Sequence, residues 1–117
     1  MADTSLNENR IGLLIWQTSN LWQSNIRKQI AKSNLSFNEY LILETVYNLS
    51  KFLTEINQVD IVKHSFIDKS VVSAKLTKLD KKKLIKKMTP NDNRSNKLAL
   101  TRDGKIIVEK IINDVIE

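Results

Sequence analysis

The stretch from Asp68 to Leu79 carries the residues of this chain best suited to meeting a ligand. Val72, Leu76 and Leu79 recur at steps of three and four, the spacing of one buried helical line. That predicts a helix from Lys69 to about Lys82, capped by the Asp68 carboxylate. The opposite side then shows Lys69, Ser70, Val71, Ser73, Ala74, Lys75 and Lys78. Small side chains let a helix approach base edges closely, while ammonium groups reach phosphates or guanine edges. The chemistry on offer is recognition rather than catalysis. Ser70 and Ser73 have no base near them in sequence, so a nucleophilic role is not expected. His64 is the only histidine and has no cysteine or clustered carboxylate beside it, which predicts a surface or helix-end residue and no metal. With only Gly12 and Gly104, no phosphate-cradling loop can form. The absence of cysteine excludes disulfides, thiol sensing and cysteine-based zinc sites. Neither an enzyme nor a cofactor is expected.

Charge points the same way. Residues 61–105 hold thirteen of the nineteen Lys and Arg residues against four acids, a local net of +9, while the remainder carries −3. A positive field on one contiguous unit calls for a polyanion, and duplex DNA fits this layout best. A length of 117 residues predicts a single domain, and two glycines with one proline suit a mostly helical one. The longest apolar run, Ile11 to Trp16, is too short for a signal or membrane segment, so a cytoplasmic protein without a membrane partner is expected.

The elements that must position this helix can be read in order. Residues 1–9 are polar and expected to fray. From about Arg10 to Ala31, Ile11, Leu14, Ile15, Trp22, Ile26 and Ile30 mark an amphipathic helix. Ser36 and Glu39 form a capping-box pattern that opens a second helix, Phe37 to about Leu49, expected at the centre of the domain. Its stripe includes Phe37, Tyr40, Leu41, Val46 and Tyr47, with Leu43 nearby. A short helix over 58–64 should turn Val59, with Val62 or Ile61, inward, and Ser65-Phe66-Ile67 makes the turn with Ile67 as its plug. Residues 84–88 and 97–100 read as two short strands around a linker rich in turn formers, a β-hairpin. Thr101 then caps a last helix carrying Ile107, Val108, Ile111, Ile112, Val115 and Ile116.

Helix, helix, helix-turn-helix, hairpin, helix, with Ile67-Asp68-Lys69-Ser70-Val71-Val72-Ser73, Leu84-Ile85-Lys86-Lys87, Asp92-Asn93-Arg94 and Leu100-Thr101-Arg102-Asp103-Gly104, resembles the MarR family of bacterial winged-helix transcriptional regulators over residues 10–117. The resemblance implies a mainly α fold with a small β-hairpin: a winged helix-turn-helix whose terminal helices form a dimer interface. It assigns 54–101 to a DNA-binding lobe and 10–31 with 102–117 to dimerisation. It places the helix after Asp68 in the major groove and Arg94 of the wing in the minor groove, oriented by Asp92. A planar, weakly hydrated guanidinium suits that narrow, negative groove. Three positions depart from the family's pattern: Ala74 where a basic residue is common, Lys83 where a helix-ending glycine is common, and an end at Glu117 where relatives usually continue.

The residues expected to contact DNA are Lys69, Ser70, Val71, Ser73, Ala74, Lys75, Lys78, Lys86 and Arg94. The lysine run 81–83 with Lys86 and Lys87 flanks them, only one of the last two facing the duplex. Ile11, Leu14, Ile15, Val108, Ile111, Ile112, Val115 and Ile116 are expected at a homodimer interface, because so wide an aliphatic stripe is hard to bury within one small subunit. Family members often bind small phenolic ligands in a cleft between the dimer core and the DNA-binding lobe. Trp16, Trp22, Tyr40 and Tyr47 are its candidate lining here, with core packing the favoured role. Two other readings stay open: a winged helix used for protein association, and an architectural or replication DNA binder with little sequence preference.

Overall fold

The computed structural model describes the backbone of residues 4–88 and 97–116, and the side-chain surroundings of residues 10–88 and 97–114. Five helices and three short strands follow one another: α1 (Thr4–Ala31), α2 (Phe37–Leu49), β1 (Ile56–Asn57), α3 (Gln58–Ser65), α4 (Lys69–Lys81), β2 (Ile85–Met88), β3 (Lys97–Leu100) and α5 (Arg102–Ile116). Helix α1 starts at Thr4, ahead of the expected Arg10, since no proline or glycine in the polar lead interrupts it. It ends in a left-handed turn: Asn34 has φ 56°, and the Leu35 amide donates back to the Ile30 carbonyl at 3.3 Å.

Helix α2 is the central element. Its capping box is formed, with the Glu39 amide donating to Ser36 Oγ at 3.2 Å and the Ser36 amide to Glu39 Oε1 at 3.1 Å. Tyr40, Ile42, Leu43 and Val46 are fully buried, so α2 is covered on more sides than one stripe predicts and Ile42 joins the core. The Tyr40 hydroxyl donates to Glu44 Oε1 at 3.2 Å. Burial raises the pKa of both groups, and for tyrosine the neighbouring Glu44 carboxylate adds to the rise.

The sheet runs β1-β3-β2, antiparallel throughout. Ile85 faces Leu100 and Met88 faces Lys97 in the hairpin, while Ile56 faces Leu98 on the other edge. The hairpin was legible; β1 was not, because two residues carry no alternation. Around α2 the core gathers Ile26, Ile30, Ile61, Val72, Leu76, Leu79, Leu84, Ile85 and Leu98.

Helix α5 changes one expectation. Val108 and Ile111 are buried inside this same chain, against the core, rather than offered to a second subunit. Their helical spacing is the spacing of α5's own inward line, which a sequence cannot tell from an intersubunit one. Ile107 and Ile112 are half-buried against that core, and Ile106, not anticipated, is exposed. The side chains of Val115 and Ile116 lie outside the described residues. In α1, by contrast, Ile11, Leu13, Leu14, Ile15, Trp16 and Leu21 are each more than half exposed.

Candidate nucleic-acid interface

One reciprocal cap, one one-way cap and two left-handed residues set the helix-turn-helix. Asn57 caps α3: the Asp60 amide donates to its Oδ1, and its own amide to Asp60 Oδ2, both at 3.0 Å. Helix α3 buries Ile61 and half-buries Val62, but Val59 is 72% exposed, against the expectation that it points inward. Val59 and Val62 are three positions apart, about 60° around the helix, and only Val62 packs against the core. At Phe66 the chain turns left-handed, φ 60°, its amide donating to the Val62 carbonyl at 3.2 Å. Ile67 packs against the core as the expected plug.

Asp68 then caps α4. The Ser70 amide donates to Asp68 Oδ2 at 3.1 Å, and the Ser70 hydroxyl donates to the same oxygen. Those two bonds, the hydroxyl's first, hold the Asp68 carboxyl below its ordinary pKa. Val72, Leu76 and Leu79 are buried as expected. The outward arc is Lys69, Ser70, Ser73, Ala74, Thr77, Lys78, Asp80 and Lys81, all exposed. Thr77 completes it one turn beyond Ser73, whose carbonyl accepts its hydroxyl at 3.2 Å; the same helical period that placed Ser70 and Ser73 there would have found it. Val71 and Lys75 are half-buried on the flank adjoining the core, not on the outward arc.

The far end of α4 is fixed as firmly. Lys83 takes φ 61°, its amide reaching the Asp80 carbonyl and that of Leu84 the Leu79 carbonyl, each at 3.0 Å. This is the double-bonded helix end usually built on glycine. Lys82 is committed to structure: Nζ donates to Asn34 O at 2.7 Å and to Glu39 Oε2 at 2.8 Å, tying the end of α4 to the corner between α1 and α2. Glu39 is 3% exposed. Burial alone would raise its pKa, but the bonds from Lys82 and Ser36 outweigh burial and lower it. Thr101 joins α5 to this end, its hydroxyl donating to the Lys83 carbonyl at 2.7 Å and accepting from the Gly104 amide at 3.0 Å.

On β2, Lys86 and Lys87 are both exposed, so alternation separates their directions without burying either. Arg94 and Asp92 lie outside the described residues. Among the described residues the ion pairs are Lys82–Glu39 and Lys97–Glu55, so none involves a lysine of the α4 outward arc. No cluster of three or more metal-ligating side chains, and no helix long and apolar enough to cross a membrane, occurs among them. A cavity of 640 Å³ opens between the end of α2, the sheet and the start of α5. Tyr47, Leu53, Ile56 and Leu100 supply apolar walls; Arg102 and Lys105 supply cations, while Lys97 is paired with Glu55, which lines the same cavity. Of the four aromatic residues considered for such a cleft, only Tyr47 lines it; Tyr40 is in the core, Trp22 stacks edge-on to Phe37 at 5.8 Å, and Trp16 is exposed.

No protein-family profile and no curated protein matches the sequence. Solved structures do match its fold. The reduced form of MarR from E. coli is similar with a TM-score of 0.78 at 20% identity, covering 91% of this chain and 76% of that one. A mutant of MepR from S. aureus bound to oligodeoxyribonucleotide gives 0.72 at 22% identity, over 88% and 74% of the two chains. NadR in complex with 4-hydroxyphenylacetate gives 0.75 at 22%, over 90% and 72%. The fold is the winged helix-turn-helix of MarR-family regulators.

Proposed function

We propose that this chain is a DNA-binding transcriptional regulator that recognises a pseudo-palindromic duplex as a homodimer. One observation carries the reading: the exposed arc of α4 combines Lys69, Lys78 and Lys81 with Ser70, Ser73, Ala74 and Thr77, three cations against the single acid Asp80, and both ends of that helix are pinned. A pinned helix loses little freedom on docking, so its contacts convert to affinity with small entropic loss. Lysines on the rim neutralise phosphates, and the small residues between them admit base edges, with Ala74 suited to a thymine methyl. Val71 and Lys75 flank this surface. Lys86 and Arg94 extend it from the wing, with Asp92 orienting Arg94, so Arg94→Ala weakens DNA binding while thermal stability stays nearly unchanged.

The dimer reading rests on the N-terminal half of α1. Ile11, Leu13, Leu14, Ile15 and Trp16 are consecutive but for Gly12, so they surround the helix on every side. A helix apolar all round belongs inside a structure. A second subunit supplies the cover through its own α1 and the end of α5, where Ile112 is half-buried within its own chain and the sequence continues to Val115 and Ile116. Two α4 helices then enter successive major grooves about 34 Å apart. The cavity beside Tyr47, with Arg102 and Lys105 in excess over the Lys97–Glu55 pair, suits a small amphipathic anion, which makes it the place for an effector: it touches both β3 and the start of α5.

Titration against a selected duplex and a random one, at two salt concentrations, tests the reading. A preference of about tenfold or more for the selected duplex, with affinity falling steeply as salt rises, is the expected result. Equal, salt-sensitive affinities would indicate an architectural DNA binder. No binding at low salt would indicate a module for protein association.

A further inference from the structure

Phe66 is 93% exposed, the barest large apolar side chain among the described residues. It also holds φ 60°, a left-handed conformation that bulky residues rarely adopt. Two features therefore act against phenylalanine here in the isolated chain. The corresponding helix ends show what the turn itself needs: Asn34 and Lys83 close α1 and α4 at nearly the same φ. A residue ending a helix this way often packs an apolar side chain back on the last turn. At 93% exposure the Phe66 ring makes no such contact. Closing α3 needs only the backbone bond from Phe66 N–H to the Val62 carbonyl, which asparagine or glycine would make without strain.

The ring sits beside the surface proposed above. Phe66 precedes the cap residue Asp68 by two positions, so its Cα lies within about 11 Å of Lys69 by chain length alone. Lys63, one turn before it on α3, and Lys69, the first residue of α4, are both exposed cations. A duplex has apolar deoxyribose edges between its phosphates, and that alternation matches an exposed ring flanked in sequence, three positions to either side, by exposed lysines. We propose that Phe66 is a further DNA-contacting residue, its ring packing on the deoxyribose edge at the wall of the groove while Lys63 and Lys69 meet the flanking phosphates. This inference rests on the DNA-binding reading and adds a contact that carries no charge.

The test compares wild type, Phe66→Asn, Phe66→Leu and Phe52→Ser on one selected duplex, over a series of salt concentrations. Phe52 is a second bare aromatic, 84% exposed in the segment after α2, and controls for loss of surface hydrophobicity as such. Phe66→Asn is expected to bind about tenfold more weakly, the loss of one well-covered ring. Its salt slope should be unchanged, because no phosphate contact is removed. Its unfolding midpoint should equal or exceed that of wild type, since asparagine relieves the left-handed turn. Phe66→Leu should fall between the two, and Phe52→Ser should match wild type. Wild-type affinity in Phe66→Asn would overturn this inference alone, as would a lower unfolding midpoint, which would show the ring packed within the protein. Failure of the wild type to bind any duplex would overturn the DNA-binding reading and this inference with it.

Discussion

Gly104 lies in the first turn of α5, where a methyl group has nowhere to go. A Cβ built there would sit 2.2 Å from the Leu84 carbonyl oxygen and 3.1 Å from its carbon. Neither atom yields easily, because the Leu84 oxygen accepts the Thr101 amide at 3.1 Å and the adjacent Lys83 oxygen accepts the Thr101 hydroxyl at 2.7 Å. Relief to ordinary contact requires α5 to back away by about 1 Å, which stretches both bonds. Overpacking against backbone costs about 1–3 kcal/mol, and each weakened hydrogen bond about 1 kcal/mol more. Alanine returns about 1 kcal/mol through its better helix propensity. Gly104→Ala should therefore lose about 3 kcal/mol, a large part of a typical domain stability of about 5–15 kcal/mol. Urea denaturation followed by far-ultraviolet circular dichroism measures it as a lower midpoint at unchanged slope. A variant as stable as wild type would refute the close packing of α5 on the base of the wing.

Lys83→Gly removes a left-handed lysine and should stabilise the protein by about 1 kcal/mol in the same assay. Glu39→Gln breaks a buried, charge-assisted contact with Lys82 and should cost about 2 kcal/mol at neutral pH. Because the Glu39 carboxyl is held below its ordinary value of 4.5, the stabilisation is complete above that pH and is lost as pH falls through the depressed pKa. The wild-type advantage over Glu39→Gln should thus close in acid, as read from paired denaturation curves. Glu44, whose pKa is raised by burial, acts in the opposite sense in both proteins and cancels from that comparison. Leu14→Asp with Ile15→Asp should convert a dimer to a monomer by light scattering. Both side chains are more than half exposed in the single chain, so the protomer itself should stay folded.

Much of this arrangement was legible in the residues because local rules and global packing agree. Val72, Leu76 and Leu79 fixed the inward side of α4; Ser36 with Glu39 and Thr101 with Gly104 marked helix starts that the hydrogen bonds bear out. Periodicity failed where one line of residues has two ways to be buried. Val108 and Ile111 pack within the chain, and no spacing rule distinguishes that from a subunit contact. Lysines were equally ambiguous. Lys82 belongs to a run that reads as a solvated or DNA-facing patch, yet it bonds to Glu39, forty-three residues away in sequence. Phe66 and Lys83 occupy positions where glycine would be the local choice, so the turns they make were set by tertiary context rather than by propensity.

The central claim is that the outward arc of α4 meets DNA, and Ala74 is small, exposed and on that arc. The affinity of Ala74→Glu for a duplex selected by the wild type tests it most directly. A carboxylate there would face phosphates and base acceptors, a like-charge clash worth several kcal/mol, so binding should weaken by roughly a hundredfold or more while the urea midpoint stays put. Undiminished affinity in the folded variant would contradict the account.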